Sequence, residues 1–434
     1  MKKLLLLFAC LLLKSAVMRS QNLYFPPITG TAWDTTAPQS LGWCQPRIDS
    51  LYNYLQLKHS KSFIILKNGK IVLEKYFGSY TADSLFYWAS ASKSLASFIT
   101  GIAQQKSFIN INNLVSQYLG TGWTSETPAK ENLITVKHLL QMMSGLDDAP
   151  PQPCNNEDTA KACLIYKADA GTRWAYHTGA YKKVQSVVSA AVNLNYNLIT
   201  NNWVENYTGM SGLWIDQTYY SKARDMARFG LLVQNKGIWN ADTLLKDSVY
   251  YNHMVNTSQS FNLSYGYLWW LNGKPTFMNP GIQLTLPGPL IPNCPADMFA
   301  ALGKDDQKIY IVPSTGMVVI RQGYSADGVT FALSTFDNTL WDYINKLNCL
   351  ATSMDEINSD AVSLYPNPAH DQLIVKASIP VSAIEMTNLI GCRQLIASGA
   401  QAHTLNVSAL EKGVYFVKLT FENKQRLIKK IIID

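Results

Sequence analysis

A serine and a lysine three residues apart are the side chains of this chain best placed to do chemistry. Ser90-Ala91-Ser92-Lys93 opens a segment whose apolar residues recur at the spacing of one buried helical face. Positions three apart on a helix are neighbours, so we expect the hydroxyl and the amine to lie side by side. A serine attacks carbonyls well only when a base takes its proton, and a lysine is such a base only when its pKa is lowered. The spacing predicts an activated nucleophile; the alternative is a helix cap beside an exposed lysine.

Strand patterns lie on both sides of the segment that carries this pair. Two alternating apolar runs between Phe63 and Tyr76 flank Asn68-Gly69, a dipeptide typical of a type I′ hairpin turn. Ile309–Val312 and Met317–Arg321 predict a second hairpin. Strands at both ends with a helical block between them favour an α/β (α+β) fold, in which one antiparallel sheet is built from distant parts of the chain and flanked by helices.

Helical periodicity and end signals predict several helices around this sheet. The expected segments are Arg47–Leu57, Val136–Met143 after an N-capping Thr135, the stretch through Ala227 and Leu232 that follows Ser221, and Leu340–Leu347, with one more strand near Thr330–Ser334. The end helices should cover one face of the sheet.

The pattern changes near residue 355. Residues 354–360 are polar, and after them short strands alternate with turns, which is typical of a small β-sandwich. The expected strands are Gln372–Ala377, Ile384–Thr387, Thr404–Val407, Val414–Phe421 and Gln425–Ile433. We therefore expect a second domain after this point.

The N-terminal residues read as a secretory signal over residues 1–20. Lys2 and Lys3 precede an apolar run from Leu4 to Leu13, and Lys14 ends that run too early for a membrane span. The mature chain is thus expected to have no transmembrane segment. A net charge of +7 without a dense basic run gives no reason to expect a nucleic-acid partner.

Cysteine usage agrees with export. Six cysteines remain after the expected signal, an even number that permits disulfides, and Cys154 with Cys163 could close a short surface loop. No Cys-x-x-Cys pair occurs and the six histidines are scattered, so neither a metal nor another cofactor is expected.

Four segments, taken with Ser90 and Lys93, resemble the serine β-lactamase-related hydrolases in their order. This family includes class C β-lactamases, D-alanyl-D-alanine carboxypeptidases, esterases and 6-aminohexanoate-dimer hydrolase. The matching segments are Tyr87–Ser94, Ile134–Leu140 with Ser144-Gly145-Leu146, Gly171–Tyr176 and Ala223–Gly230. The resemblance implies the β-lactamase/transpeptidase-like fold, with an all-helical subdomain beside the sheet.

The resemblance also implies roles for two residues of a Tyr-x-Asn motif. Tyr176 matches the tyrosine that works with the lysine in moving protons, and it would act as a base only if cations stabilised its phenolate. Thr178 stands where the family has asparagine, so the amide that orients substrate is missing. His177 lies between them, and we expect it to line the cleft rather than to form a Ser-His-Asp triad, because Ser90 has no Gly-x-Ser-x-Gly elbow.

The third motif of the family aligns with Lys304-Asp305-Asp306. Lys304 supplies its positive charge and Asp305 follows it at the substrate, whereas Asp306 replaces a glycine that lets substrate lie against the strand. This departure argues against efficient β-lactam turnover. The alignment implies an oxyanion hole made by the backbone amides of Ser90 and Gln307.

Residues Ser363 to Asp434 resemble the C-terminal sorting domain of type IX secretion substrates. The matching segments are Leu364–Ala369, Gly413–Val417 and Lys429–Ile433. The resemblance implies passage through the outer-membrane type IX machinery and release outside the cell or at its surface. The alternative for this region is a carbohydrate- or protein-binding sandwich.

Together these features predict a secreted serine hydrolase that cleaves a small-molecule or peptide ester or amide through a Ser90 acyl-enzyme, with Lys93 and Tyr176 as proton shuttle. The alternatives are a class C-type β-lactamase or D-alanyl-D-alanine carboxypeptidase, and a catalytically inactive surface binding protein. The expected organisation is a signal peptide (1–20), the hydrolase domain (21–352), a linker (353–361) and the sorting domain (362–434).

Overall fold

The computed structural model describes residues 23–328, 333–349, 362–389, 391–422 and 426–434. The chain divides after Asn348 into two compact units, and each has a buried apolar core of its own. The expected signal and linker lie outside the described residues, as does most of the strand expected near Thr330–Ser334. Ser334 itself is described, and it caps a helix instead.

The strands of the first unit are β1 (Ser60–Lys67), β2 (Lys70–Tyr76), β3 (Phe86–Tyr87), β4 (Gly212–Ile215), β5 (Thr218–Ser221), β6 (Ile238–Trp239), β7 (Asp242–Thr243), β8 (Trp270–Leu271), β9 (Thr276–Met278), β10 (Thr285–Pro287), β11 (Phe299–Gly303), β12 (Gln307–Val312) and β13 (Met317–Gly323). Its α-helices are α1 (Gln45–Leu57), α2 (Ser92–Gln105), α3 (Ser116–Leu119), α4 (Pro128–Glu131), α5 (Val136–Leu140), α6 (Thr178–Val192), α7 (Tyr196–Thr200), α8 (Asn206–Thr208), α9 (Ala223–Gln234), α10 (Ser248–Met254) and α11 (Thr335–Asn345). A π-helical stretch, Asn201–Glu205, joins α7 to α8.

A six-stranded antiparallel sheet with the order β2-β1-β13-β12-β11-β8 forms the centre of this unit. Its neighbouring strands β1 and β13 join the two ends of the domain, since Ser60 lies opposite Gly323. The hairpin of β1 and β2 turns at Asn68 and Gly69, which have φ of +50° and +85° as a type I′ turn requires. The predictions of this hairpin and of one sheet assembled from distant segments are confirmed.

Helices cover both faces of the sheet. α9 packs closely on one face, where a Cβ at Gly230 would come within 3.2 Å of Ile309. Tyr310, the next residue of β12, points to the other face, because side chains alternate along a strand. There it meets Trp341 of α11 edge to face, with ring centroids 5.7 Å apart. α1 packs against α11, so the terminal helices do share one face, as expected.

Two helices differ from the sequence expectation. Every residue of α2 from Ser92 to Ala103 is buried, because this helix runs through the middle of the domain and is covered on all sides. The prediction of a single buried face was therefore wrong. α5 ends at Leu140 and not at Met143, since Met142 takes a left-handed φ of +59°.

The second unit consists of β14 (Val362–Tyr365), β15 (Gln372–Asn388), β16 (Arg393–Asn406), β17 (Gly413–Phe421) and β18 (Arg426–Ile433). The strands expected at Gln372–Ala377 and Ile384–Thr387 are one long strand, β15, whose register with β16 shifts between Lys376 and Val381. Before the shift β15 pairs with β14 and after it with β17, so one hydrogen-bonded sheet encloses the apolar core of this unit.

Candidate active site

Ser90, the predicted nucleophile, lies on a short 3₁₀ turn, Ala89–Ala91, immediately before α2. The residue before this turn, Trp88, is fully buried and anchors it to β5. Its backbone amide donates to the Tyr219 carbonyl at 2.8 Å, and its indole Nε1 donates to Ser221 Oγ at 2.8 Å. The turn is thus held at a fixed position beside the small sheet β3–β5–β4.

The end of β11 packs directly against the same turn. A Cβ on Gly303 would lie 2.4 Å from the Trp88 carbonyl oxygen and 3.1 Å from the Ala91 amide nitrogen, so only glycine permits this approach. Gln307 pairs with Gly303 across the β11–β12 hairpin. The two segments whose backbone amides are predicted to form the oxyanion hole therefore meet here. The Gln307 side chain is buried and bonded to the Gly323 backbone.

Lys93 has the properties that the predicted base requires. Its Nζ lies 2.8 Å from Ser90 Oγ, and the side chain is almost completely buried. Burial lowers the pKa of Lys93 to about 7; the Glu157 charge opposes this shift, and the Lys182 and Lys304 charges add to it. Near neutral pH a substantial fraction of the amine is therefore uncharged and able to accept a proton from Ser90.

Tyr176 lies beside the pair but does not carry a stabilised negative charge. The Lys93 Nζ is 5.0 Å from the centroid of its ring, and the phenol shares a hydrogen bond with Ser90. Burial raises the pKa of Tyr176 well above 10, and the Ser90 hydrogen bond only partly offsets this effect. The condition under which Tyr176 would act as a base, a phenolate stabilised by cations, is therefore not met. In this environment Tyr176 is a neutral phenol, which can both accept and donate a proton.

An aromatic cluster fixes the position of the Tyr176 ring. Trp270 stacks on it with centroids 5.9 Å apart, and Tyr265 and Trp174 pack around it at 6.3 and 6.4 Å. Tyr181 lies on the other side of the amine, with its ring centroid 4.8 Å from Lys93 Nζ. These rings exclude water from Lys93, which is the physical reason for its lowered pKa.

A cavity of about 310 Å³ opens above Ser90 and Lys93. Of the other predicted site residues, Thr178, Lys304 and Asp305 line it. Tyr176, His177 and Gln307 are absent from its lining. The rest of the wall comes from residues that the sequence interpretation did not assign to the site: Tyr87, Ala89, Glu157, Tyr181, Lys182, Gln217, Thr218 and Tyr220.

His177 is a buried helix cap and not a cleft residue. It is 1% exposed, and its Nδ1 accepts the Ala180 amide proton at 3.2 Å at the start of α6. Burial lowers the pKa of His177 to about 4, so the ring is neutral at physiological pH. The prediction that it lines the cleft was wrong, because capping at the N-terminus of α6 turns the ring into the protein.

A disulfide-closed loop forms one wall of the cavity and binds the backbone around Tyr176. Cys154 and Cys163 are bonded as expected, with Cα atoms 5.3 Å apart. Within the loop, the side chain of Asn156 donates to the Tyr176 carbonyl at 3.0 Å and accepts the Thr178 amide proton at 2.9 Å. The loop also brings the exposed carboxylate of Glu157 into the cavity.

The loop offers the one group of possible metal ligands found among the described residues, namely Cys154, Asp158 and Cys163. Both thiols are consumed by the disulfide, so these residues do not form a cation site.

The β11–β12 turn presents its charges differently from the expectation. Lys304 is exposed at the cavity, and the carboxylate of Asp305 accepts the Tyr87 hydroxyl proton. Asp306 points into the protein, where it is 0% exposed and pairs with Lys308 at 3.1 Å. Burial alone would raise the pKa of Asp306, but Lys308 and the donors around it hold that pKa below its usual range. The inference that the Asp306 side chain obstructs substrate was therefore wrong.

The missed residues left only a faint signal in the sequence. The short Cys154–Cys163 spacing marked a closed loop, yet nothing in it distinguished Asn156 and Glu157 from solvent-exposed turn residues. Tyr220 follows buried Tyr219 in a short strand, so its side chain points to the opposite face. That this face lies beside Tyr87 depends on the pairing of β5 with β3, which the sequence does not reveal.

Comparisons with known proteins find relatives of both units. A family profile described as Beta-lactamase matches residues 58–193, and one described as Secretion system C-terminal sorting domain matches residues 363–434. No curated protein sequence matches the chain significantly.

Solved structures share the fold of the first unit at low sequence identity. A protein from Bacillus anthracis assigned as a 6-aminohexanoate-dimer hydrolase superposes with a TM-score of 0.56 at 18% identity, covering 75% of this chain and 89% of its own. A penicillin-binding-protein homologue from Caulobacter crescentus gives 0.53 at 12% identity, with 70% and 99% covered. A family VIII carboxylesterase gives 0.51 at 13% identity, also with 70% and 99% covered.

The sorting-domain match also bears on the location of the protein. A sorting domain of this kind indicates export through the type IX system to the cell surface or outside the cell. Among the described residues, no helix combines the length and apolarity needed to cross a bilayer. Residues 58–193 therefore match the Beta-lactamase family, the first unit has the fold of these solved structures, and residues 363–434 match a secretion sorting domain.

Proposed function

We propose that this protein is a secreted serine hydrolase that cleaves an ester or amide bond through an acyl-enzyme on Ser90. The observation that carries the proposal is the 2.8 Å contact between Ser90 Oγ and Lys93 Nζ, in a setting where burial brings the pKa of Lys93 to about 7. A nucleophile in contact with a base that is uncharged near neutral pH, at the floor of a cavity, is the arrangement that acyl transfer requires.

The proposed reaction proceeds in two halves. Neutral Lys93 accepts the Ser90 proton as Oγ attacks the carbonyl carbon, and the backbone amides of Ser90 and Gln307 stabilise the oxyanion. The neutral phenol of Tyr176 relays the proton to the leaving group as the scissile bond breaks. Water then attacks the acyl-enzyme by the same route in reverse, which restores the Ser90 hydroxyl. Lys304 at the cavity mouth attracts a substrate carboxylate or polarises the Tyr176 hydroxyl.

Ester cleavage is the preferred reaction within this class. Thr178 favours esters, because it lines the cavity where β-lactamases carry an asparagine amide and therefore offers one donor fewer to an amide substrate. Asp306 no longer contributes to that argument, because its side chain is buried away from the cavity. β-Lactam or D-alanyl-D-alanine hydrolysis, together with an inactive binding role, remain the competing outcomes of the experiment.

Covalent labelling with a fluorophosphonate probe tests the proposal. We expect wild-type protein to be labelled and Ser90→Ala to be unlabelled, because the probe traps only an activated serine. Ser92→Ala is the matched control: it removes a hydroxyl of the same segment that accepts the buried Tyr219 amide proton, at a cost of about 1–3 kcal/mol in stability.

The result separates the candidate functions. Folded wild-type protein that resists the probe would favour the inactive binding protein. For a labelled enzyme, hydrolysis of nitrocefin at a rate matching the best ester would place it with the β-lactamases instead.

A further inference from the structure

The small sheet β3–β5–β4 beside the nucleophile has one buried and one exposed face. Trp214 of β4 and Tyr219 of β5 are 7% and 0% exposed, so they point into the core. The residues next to them point the opposite way, because successive side chains of a strand alternate between faces. This outer face carries Leu213 and Ile215 of β4, which are 50% and 47% exposed.

The same outer face continues into the catalytic cavity. Leu213 lies directly opposite Tyr220, and Ile215 lies opposite Thr218, so the members of each pair project to one side of the sheet. Tyr87 of β3 lies opposite Tyr220 in turn, with ring centroids 6.2 Å apart. Since Tyr87, Thr218 and Tyr220 all line the cavity, Leu213 and Ile215 form an apolar extension of its wall, which we call the ledge.

The ledge is not suited to a peptide that adds as a strand. β4 is the outer strand of its sheet, but the middle of its free edge is already occupied by Asn197. Asn197 Oδ1 accepts the Trp214 amide proton at 2.7 Å, and Nδ2 donates to the Trp214 carbonyl at 3.3 Å. Strand addition needs those backbone groups free. The ledge therefore offers apolar side chains without backbone pairing.

We propose that the ledge binds the hydrocarbon chain of the substrate, so that the preferred substrates are esters of medium-chain acids. The inference rests on the proposed Ser90 acyl-enzyme. A cavity of about 310 Å³ accommodates the scissile ester and a short acyl group. Leu213 lies one strand beyond Tyr220, about 4.8 Å further out. Only a longer chain reaches it, and each methylene buried there favours binding by up to about fourfold.

The chain-length profile of ester hydrolysis tests this inference. We would measure kcat/KM for 4-nitrophenyl acetate, butyrate and octanoate with the wild type and with the double variant Leu213→Ser/Ile215→Ser. The wild type should prefer octanoate to acetate by about tenfold or more, and the double variant should lose about tenfold on octanoate while staying within about twofold on acetate. Val249→Ser, at a 65% exposed apolar residue of α10, is the matched control and should leave the profile unchanged.

The outcomes distinguish failure of the ledge from failure of the proposed function. The proposed role of the ledge is overturned if the wild type has the same kcat/KM for all three esters, or if the double variant loses kcat/KM equally on all of them. The proposed acyl-enzyme is overturned if the Ser90→Ala variant still hydrolyses the acetate. Binding of 4-nitrophenyl octyl ether, which cannot be hydrolysed, tests the ledge without turnover, because it should weaken in the double variant. Sedimentation completes the test: a dimer that dissociates in the double variant would assign the ledge to a second copy of the chain and overturn the proposal.

Discussion

At the scale of single residues, the proposed reactivity of Ser90 depends on the charge state of Lys93. Burial among Tyr176 and Tyr181 removes the water that would stabilise an ammonium group, and this is the largest contribution to its lowered pKa. The charges at the cavity mouth then adjust that pKa in opposite directions, Glu157 upward and Lys182 downward. Reactivity therefore depends on residues that do not touch the nucleophile.

The pH dependence of kcat/KM should report this balance. Because Lys93 must be uncharged to act as a base, activity should be low in acid and rise as the pH passes through about 7. Glu157→Gln removes the charge that raises the pKa, so the acid limb should move to lower pH. Lys182→Gln removes a charge that lowers the pKa, so the limb should move to higher pH. Shifts of the same sign in both variants would contradict assignment of the limb to Lys93.

At the scale of elements, the Cys154–Cys163 loop acts as a clamp on the start of α6. The side chain of Asn156 bridges the Asp148 and Tyr176 carbonyls and the Thr178 amide, while its backbone carbonyl accepts the Gly179 amide proton. These bonds set the position of Tyr176 from the outside, as the aromatic cluster does from the inside. Asn156 is thus a positioning residue.

Replacing Asn156 should impair turnover more than folding. We expect Asn156→Ala to lower kcat by about tenfold or more, because a catalytic group displaced by even 1 Å loses much of its effect. KM and the melting temperature should change little. Asn156→Asp keeps the acceptor for the Thr178 amide and should recover part of kcat.

The double variant Cys154→Ser/Cys163→Ser should also have a lower kcat, as Asn156→Ala does, because it opens the loop. Cys392→Ser, at an exposed free thiol of the second unit, is its control and should leave kcat unchanged. If the loop variants lose thermal stability along with kcat, Asn156 has a purely structural role.

At the scale of the whole molecule, the chain divides into two units whose buried cores share no residue. The proposed catalytic residues, the cavity and the ledge all belong to the first unit. We therefore expect a chain truncated after residue 361 to retain kcat/KM and melting behaviour close to those of the full-length protein. In a type IX-secreting host it should accumulate in the periplasm, as fractionation would show. Loss of activity on truncation would mean that the tail contributes to the hydrolase domain.

Local patterns in the sequence were enough to predict the local parts of this structure. The Ser90–Lys93 spacing and the Asn68-Gly69 turn specify their geometry within a few residues, so both could be predicted. The direction of Asp306 depends on Lys308 and Ser334, and the burial of His177 depends on the cap of α6. These side-chain directions are set by tertiary packing, which leaves no periodic signal in the chain. The all-round burial of α2 was missed for the same reason.

The pairing of β1 with β13 has a consequence for the timing of biosynthesis. The turn that carries Ser90 is pressed against Gly303, and the sheet that contains Gly303 closes only when Gly323 meets Ser60. During translation Ser90 is thus made early, but Gln307, which carries the second proposed oxyanion donor, and the sheet partners arrive only after most of the domain has left the ribosome. The nascent chain should lack the proposed hydrolase activity until then, so the activity would first appear in the completed domain.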